Sequence, residues 1–300
     1  MPFIQLDSLN IHYEHQSKGD IPIILLHGNF GSWHYWQPFL QDLKFGYRAY
    51  APDFRGCGDS QVTENGYDIN TLCADIIQFA NHLQLDKFHL VGHSLGGAVA
   101  QQLAGTHPER ILTLSLVATA PSDGLPSLTQ NSYSSHLFSP QNTFKLLDAI
   151  GLKRKVLAAT FRKTMPKLSS KPALLNMVVD DALKMDMKAL NGFIETLKNW
   201  RGNKLLKQFS FPVIILYGDL DSVAPLASLL RMKDQIKGCR FHTFHNLGHA
   251  PQLENAAAFN NVLMSFIEGR HADTGHTMSS QAVHWLAGLK QKISTLFKKP

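Results

Sequence analysis

The serine at position 94 has the sequence surroundings of a catalytic nucleophile. It is the central residue of a Gly-x-Ser-x-Gly pattern, Gly92-His93-Ser94-Leu95-Gly96. The apolar run 88–91 before the pattern predicts a buried strand, and the run 97–104 after it predicts a helix. A serine in such a sharp turn exposes its hydroxyl above the sheet edge, beside the positive end of the new helix. The pattern therefore predicts a nucleophile elbow, with Ser94 as the nucleophile.

A nucleophilic serine needs a histidine base and a carboxylate that orients the histidine, and after this type of elbow the acid precedes the histidine in the chain. One strongly β-prone run is followed by two candidate acids, Asp219 and Asp221. A later strand-like run is followed by two candidate histidines, His245 and His249. We favour Asp221, because it lies further along its loop and leaves Asp219 to cap the turn. We favour His249, because it follows a glycine beyond the last predicted strand.

Strands alternate with helices along most of the chain, and this predicts a mostly parallel eight-stranded sheet covered by helices on both faces. An initial hairpin would form its antiparallel start. The predicted strands are Phe3–Leu6, Ile11–Glu14, Ile21–Leu26, Tyr47–Ala51, Phe88–Gly92, Leu112–Ala118, Val213–Tyr217 and Arg240–Phe244. The predicted helices outside the middle third are Trp36–Leu43, Asp68–Leu83, Leu95–Thr106, Pro225–Ile236 and Ala256–Glu268.

The alternation stops in the middle third, where a helical pattern is broken by prolines and one glycine. This segment, 121–210, follows a predicted strand at the end of the sheet where the site would lie, so we predict that it forms a helical cap. The core is then predicted as 1–120 together with 211–269. A polar linker and an amphipathic helix with basic residues are predicted over 270–300.

The motifs and their order resemble the α/β-hydrolase superfamily and, within it, esterase-like serine hydrolases with a helical cap. The resemblance rests on the elbow, on His27-Gly28 after a strand, and on the segments 52–60, 218–225 and 248–254. It covers about residues 3–268, with the middle third matching only by position. It implies the α/β-hydrolase fold for this chain.

The same resemblance implies roles for particular residues. The acid of the family matches Asp221. The oxyanion hole would consist of the backbone N–H groups of Leu95 and Asn29, with Phe30 as the alternative to Asn29. His27 is expected to orient this loop rather than to take part in the chemistry. No cofactor and no metal is expected.

The charge of the chain is distributed unevenly. The predicted cap carries 14 lysines and arginines against 6 acidic residues, whereas the whole chain has 29 against 23. Such a basic surface is typical of a solvated lysine face or of a site for an acidic partner such as a carrier protein, an anionic lipid surface or a substrate carboxylate. Nucleic acid is not expected as a partner, because no binding motif accompanies the charge. Contact of the C-terminal helix with a membrane is an alternative to its docking on the protein.

The first residues have neither a basic start nor a long apolar run, and the 3 cysteines are widely spaced. We therefore expect a cytoplasmic protein with free thiols. The predicted function is cleavage of a carboxylic ester by acyl transfer to Ser94. The resemblance to pimeloyl-carrier-protein methyl ester esterases suggests a carrier-bound methyl ester as one substrate. A lactone, a thioester, a carbon–carbon bond and a non-catalytic ligand-binding receptor on the same fold are the alternatives.

Overall fold

The computed structural model describes residues 2–125 and 140–269, and these contain an eight-stranded sheet flanked by helices. The strands are β1 (Phe3–Gln5), β2 (Asn10–Ser17), β3 (Ile21–Leu26), β4 (Tyr47–Pro52), β5 (Phe88–His93), β6 (Ile111–Val117), β7 (Val213–Gly218) and β8 (Arg240–Phe244). All eight predicted strands are present. Only β2 is much longer than predicted, because its polar second half pairs with β4 as far as Ser17 and Arg48.

The order of the strands in the sheet is β1-β2-β4-β3-β5-β6-β7-β8. The pairs β1–β2 and β2–β4 are antiparallel, and every other neighbouring pair is parallel. Leu26 of β3 pairs with Gly92 of β5, and Gly218 of β7 pairs with Phe244 of β8. The carboxyl ends of these four strands therefore meet at one edge of the sheet, where ligands bind in open α/β sheets.

The central strands are apolar along their whole length because both faces of the sheet are covered. In β3, residues Ile23, Ile24, Leu25 and Leu26 are completely buried. A continuous apolar run is the sequence signature of a parallel strand between two layers of helices. This explains why the positions of the central strands could be predicted from the sequence.

Ten α-helices lie in the described part of the chain. They are α1 (Gln37–Gln41), α2 (Ile69–His82), α3 (Leu95–Thr106), α4 (Pro140–Ala149), α5 (Lys153–Thr164), α6 (Pro172–Lys184), α7 (Met187–Asn199), α8 (Leu226–Gln235), α9 (Pro251–Glu254) and α10 (Ala256–Ile267). The helices α4 to α7 fall within the predicted cap. Two prolines that interrupt its helical pattern, Pro140 and Pro172, are the first residues of α4 and α6, where the missing N–H costs nothing.

The chain divides into two compact units, Met1–Leu263 and Met264–Pro300, and all the residues discussed below belong to the first. In the second unit the description ends with the last turn of α10 and Gly269. The predicted linker and amphipathic helix over 270–300 lie outside the described residues. Within 2–125 and 140–269, no helix has both the length and the apolar character needed to cross a membrane.

Candidate active site

Ser94 lies in the sharp turn between β5 and α3. Its φ of 52° and ψ of −113° are outside the regions that residues with a side chain normally occupy. The backbone holds this conformation through hydrogen bonds on both sides. The N–H of Ser94 donates to the carbonyl of Val117, and its own carbonyl accepts the N–H groups of Gly97 and Ala120. The strained residue is thus held by β6 and by the first turn of α3, as in a nucleophile elbow.

The loop after β3 packs directly against this elbow. A β-carbon on Gly28 would come within 2.8 Å of His93 Nδ1 and 3.0 Å of Ser94 Cβ. A β-carbon on Gly96 would collide with the carbonyl oxygens of Leu26 and His27. Glycine is required at both positions because the two backbones approach so closely. This contact brings the loop that carries Asn29 beside Ser94.

His27 holds that loop in place. Its Nδ1–H donates to the carbonyl oxygen of Gly28 at 2.8 Å, and its Nε2 accepts the N–H of Phe54 at 3.0 Å. The side chain is fully buried, and burial lowers the pKa of His27 below its ordinary value. The ring is therefore neutral, and both of its nitrogens are used to orient backbone. This is the geometry of a residue that shapes the loop.

The loop offers two backbone N–H groups that could form the oxyanion hole with that of Leu95, those of Asn29 and Phe30. The N–H of Phe30 already has a partner. Its N–H donates to the side-chain Oδ1 of Asn29 at 3.0 Å, and its φ is 64°. Leu95 is the first residue of α3, so its N–H lies at the positive end of that helix. The geometry therefore favours the backbone N–H of Asn29 over that of Phe30 as the companion of Leu95.

Asp221 and His249 are hydrogen-bonded to each other. The distance from His249 Nδ1 to Asp221 Oδ2 is 2.9 Å, and the Asp221 side chain is fully buried while that of His249 is 13% exposed. Burial alone would raise the pKa of Asp221, but the interaction with His249 and two backbone N–H bonds outweigh it and hold this pKa below its ordinary value. Asp221 is therefore ionised at neutral pH and can orient the imidazole.

Asp219 and His245, the alternative candidates for the acid and the base, form a second pair at the surface. Asp219 Oδ2 lies 3.0 Å from His245 Nδ1, and the side chains are 35% and 67% exposed. The prediction that Asp219 caps the turn after β7 was wrong. The turn after β7 is capped by Asp221, whose Oδ1 accepts the N–H groups of Val223 and Ala224, while Asp219 accepts the N–H of Asn246.

The helices of the predicted cap, α4 to α7, are joined to the segment after β3 through a buried carboxylate. Asp181 of α6 accepts the hydroxyl of Ser32 at 2.7 Å and lies 2.8 Å from His34 Nδ1. Burial alone would lower the pKa of His34, but the hydrogen bond and charge of Asp181 outweigh it and raise this pKa above its ordinary value. Higher in the cap, the rings of Phe144 and Phe161 lie 6.0 and 6.4 Å from that of Phe30. The helices of the predicted cap therefore contact the loop next to Ser94.

No feature of the sequence indicated that His93, the residue before Ser94, contacts His249. Its Nε2–H donates to the carbonyl oxygen of His249 at 2.8 Å, and the centres of the two rings are 5.0 Å apart. Burial is the main cause that lowers the pKa of His93 to about 3. A neutral His93 thus supports the backbone of His249. Only its position beside Ser94 could have drawn attention to it.

A separate surface cleft of about 590 Å³ lies between the start of α2 and the end of α7. Tyr67, Asp68, Glu195 and Trp200 are among the residues that line it. The cleft contains none of the residues predicted to be catalytic. It is therefore distinct from the site described above.

The family model of the α/β hydrolase fold matches residues 21–256. The chain belongs to this family, and the predicted fold and superfamily are confirmed. It is thus a hydrolase, and the type of bond that it cleaves is a separate question.

The chain is similar to hydrolases that act on different bonds. It is 29% identical over 266 residues to "Putative carbamate hydrolase RutD" of Variovorax paradoxus (strain S110), covering 86% of this chain and 96% of that protein. The enol-lactonase from Burkholderia xenovorans LB400 superimposes with a TM-score of 0.76 at 22% identity, over 89% of this chain and 100% of the other. The esterase EaEST from Exiguobacterium antarcticum gives 0.74 at 23% identity, over 89% and 98%. At these identities, the two structural likenesses establish the fold alone.

Proposed function

We propose that the protein is a serine hydrolase that cleaves a carboxylic ester by transferring the acyl group to Ser94. The observation that carries this proposal is the buried Asp221 carboxylate, 2.9 Å from His249 Nδ1, at the sheet edge that also carries the strained Ser94 turn. A nucleophile, a base and an orienting acid on three different strand ends are the parts that acyl transfer requires.

In the proposed reaction, His249 Nε2 removes the proton of the Ser94 hydroxyl as its oxygen attacks the ester carbonyl. Asp221 keeps the other ring nitrogen protonated and stabilises the imidazolium. The tetrahedral intermediate collapses when the alkoxide leaves and takes the proton from His249. A water molecule then attacks the acyl-enzyme with His249 again as base, which releases the carboxylic acid and restores Ser94.

The negative oxygen of each tetrahedral intermediate would be stabilised by the backbone N–H groups of Asn29 and Leu95. The N–H of Leu95 lies at the start of α3, where the helix dipole favours negative charge. Asn29 follows Gly28, whose missing side chain lets the loop approach Ser94. Losing one such donor typically costs on the order of a hundredfold in turnover.

The proposal is tested by combining active-site labelling with a series of substrates. A fluorophosphonate probe is expected to label Ser94, as located by peptide mass spectrometry, and p-nitrophenyl esters from acetate to palmitate are expected to be hydrolysed. The best chain length would measure the acyl pocket, and lactones and thioesters assayed in parallel would reveal a preference for another bond. Absence of both labelling and turnover would instead favour a ligand-binding protein.

We also propose that the ester can be carried by an acidic carrier protein, on the basis of the charge of α5. Lys155, Arg162 and Lys163 are exposed, and no ion pair joins them to an acidic residue in the described part of the chain. Lys155 and Arg162 lie two turns apart on one face of the helix, and Lys163 borders this face about 100° further round. The carbonyl of Thr164, at the end of α5, accepts the N–H of His249 at 2.8 Å. A partner bound along this helix would thus deliver its acyl arm close to the catalytic histidine.

The carrier proposal predicts a charge-dependent preference. The same acyl methyl ester is expected to be hydrolysed with higher kcat/KM on an acidic carrier than on a small thiol, and added salt should reduce the difference. The triple variant Lys155→Gln, Arg162→Gln, Lys163→Gln should lose the preference. Replacing Lys204, Lys207 and Lys237 with glutamine, which removes the same charge elsewhere, should not. Equal kcat/KM for the two esters would contradict the proposal.

A further inference from the structure

The backbone around His249 is held by groups from three directions. Glu254 Oε1 accepts the N–H groups of Gly248 and Ala250, at 2.8 and 3.3 Å. The carbonyl of His249 accepts His93 Nε2–H at 2.8 Å, and the N–H of His249 donates to the carbonyl of Thr164 at 2.8 Å. The N–H groups of residues 248–250 and the carbonyl of His249 are thus held by Glu254, by the cap segment and by His93 of the elbow. We call residues 248–254 the histidine loop.

The two carboxylate oxygens of Glu254 bind different segments, one the histidine loop and the other the cap. While Oε1 holds the loop, Oε2 accepts the backbone N–H of Lys167 at 3.1 Å. The residue is 3% exposed, and burial raises the pKa of Glu254 above its ordinary value. No lysine or arginine of the described residues forms an ion pair with this carboxylate. Burying a carboxyl group without a positively charged partner lowers the stability of the fold.

The cap segment that meets the histidine loop runs from Thr164 to Lys171, and we call it the cap strap. Besides the two bonds already described, Lys171 Nζ donates to the carbonyl oxygens of Leu253 and Glu254, at 3.3 and 2.8 Å. Gly248 packs against the carbonyl of Thr164, where a β-carbon would collide. The strap is thus joined to the histidine loop by four hydrogen bonds, two of which involve His249 and the Glu254 carboxylate directly.

We infer that Glu254 is a positioning residue that couples the seating of the cap to the placement of His249. The inference rests on the proposed function, in which His249 is the base. When the strap is seated, its bonds to His249 and Glu254 hold the backbone of His249, and with it the imidazole that is to exchange a proton with Ser94. If the strap is displaced, these bonds break and His249 loses its position. The cap is then part of the catalytic apparatus as well as a cover over the site.

The variant Glu254→Gln tests this inference with almost no change in side-chain size. One carboxylate oxygen becomes an NH₂ group, which cannot accept an N–H, so the variant must release either the histidine loop or the strap. Because small displacements of a catalytic group are expensive, kcat per active site is expected to fall on the order of ten- to a hundredfold, with KM little changed. Active sites are counted by fluorophosphonate titration, so that a loss of folded protein does not enter kcat.

A pair of lysine variants tests the cap side without touching Glu254. Lys171→Met removes the two bonds to the histidine loop, whereas Lys167→Met removes the same charge from the same strap and leaves its backbone N–H in place. Only Lys171→Met should lower kcat. Hydrogen exchange of the peptide that contains residues 248–250 should be faster in Lys171→Met and Glu254→Gln than in Lys167→Met.

These measurements separate the coupling from the proposed function. Unchanged exchange and equal kcat per site in all three variants would overturn the coupling, even with a fully active enzyme. If Glu254→Gln does not fold, the comparison of the two lysine variants decides. Turnover that survives Ser94→Ala would overturn the proposed function instead, while the exchange measurements would still report whether the strap holds the histidine loop.

Discussion

Replacing Ser94 with alanine is expected to reduce ester turnover by about a millionfold, the loss typical when a triad nucleophile is removed. The alanine variant keeps the backbone bonds of Ser94 to Val117 and Ala120, so the fold should be unaffected. Turnover of p-nitrophenyl esters by wild type and variant measures the effect. The exposed Ser8, replaced with alanine, serves as the control. Activity within tenfold of wild type would rule out Ser94 as the nucleophile.

A second variant at the same position separates catalysis from stability. Ser94 has a φ of 52° and a ψ of −113°, which glycine adopts far more easily than alanine. Strain of this kind costs on the order of 1–3 kcal/mol and is offset in part by the greater freedom of glycine in the unfolded chain. Ser94→Gly should therefore be as inactive as Ser94→Ala but about 1 kcal/mol more stable in urea unfolding. Equal stabilities would mean that the strain is no larger than the free energy that glycine loses through its greater freedom in the unfolded chain.

The parts of the fold that the sequence predicted are those set by local patterns. The run 23–26 is apolar throughout because the sheet is covered on both faces, and this identifies β3 without further information. The elbow could be predicted because its glycines and its strand and helix are consecutive in the chain. The prolines at 140 and 172 were interpreted only as breaks in a helical pattern, and the structure shows that each is the first residue of a helix.

The contacts that position the site could not be predicted, because they join residues far apart in the chain. Asp181 and His34 are in contact although they are 147 residues apart in the chain, and Lys167 and Glu254 are hydrogen-bonded although they are 87 residues apart. No periodicity or motif indicates which polar residue of the cap faces which polar residue of the core. The sequence favoured Asp221 over Asp219 through its place in the loop and the family motif, and the structure adds the histidine that each contacts, His249 and His245.

Replacing Asp221 with asparagine is expected to lower kcat by about ten thousandfold through the tautomer of His249. Oδ1 of Asp221 accepts the N–H groups of Val223 and Ala224, at 2.7 and 3.1 Å. These two donors should hold the amide oxygen of asparagine on their side and turn its NH₂ group toward His249 Nδ1. The ring would then carry its proton on Nε2, the nitrogen that must accept the proton of Ser94. The variant should nevertheless fold, because the capped turn after β7 is kept.

Asp219→Asn is the matched control for this prediction. Asp219 follows the same strand and also contacts a histidine, His245 at 3.0 Å, but both side chains are partly exposed at the surface. Its replacement should change kcat by no more than about twofold, since exposed pairs contribute little. The two variants are compared by steady-state kinetics and by titration of active sites with a fluorophosphonate. A large loss in Asp219→Asn with near-normal kcat in Asp221→Asn would transfer the role of the acid to Asp219, and that of the base to His245.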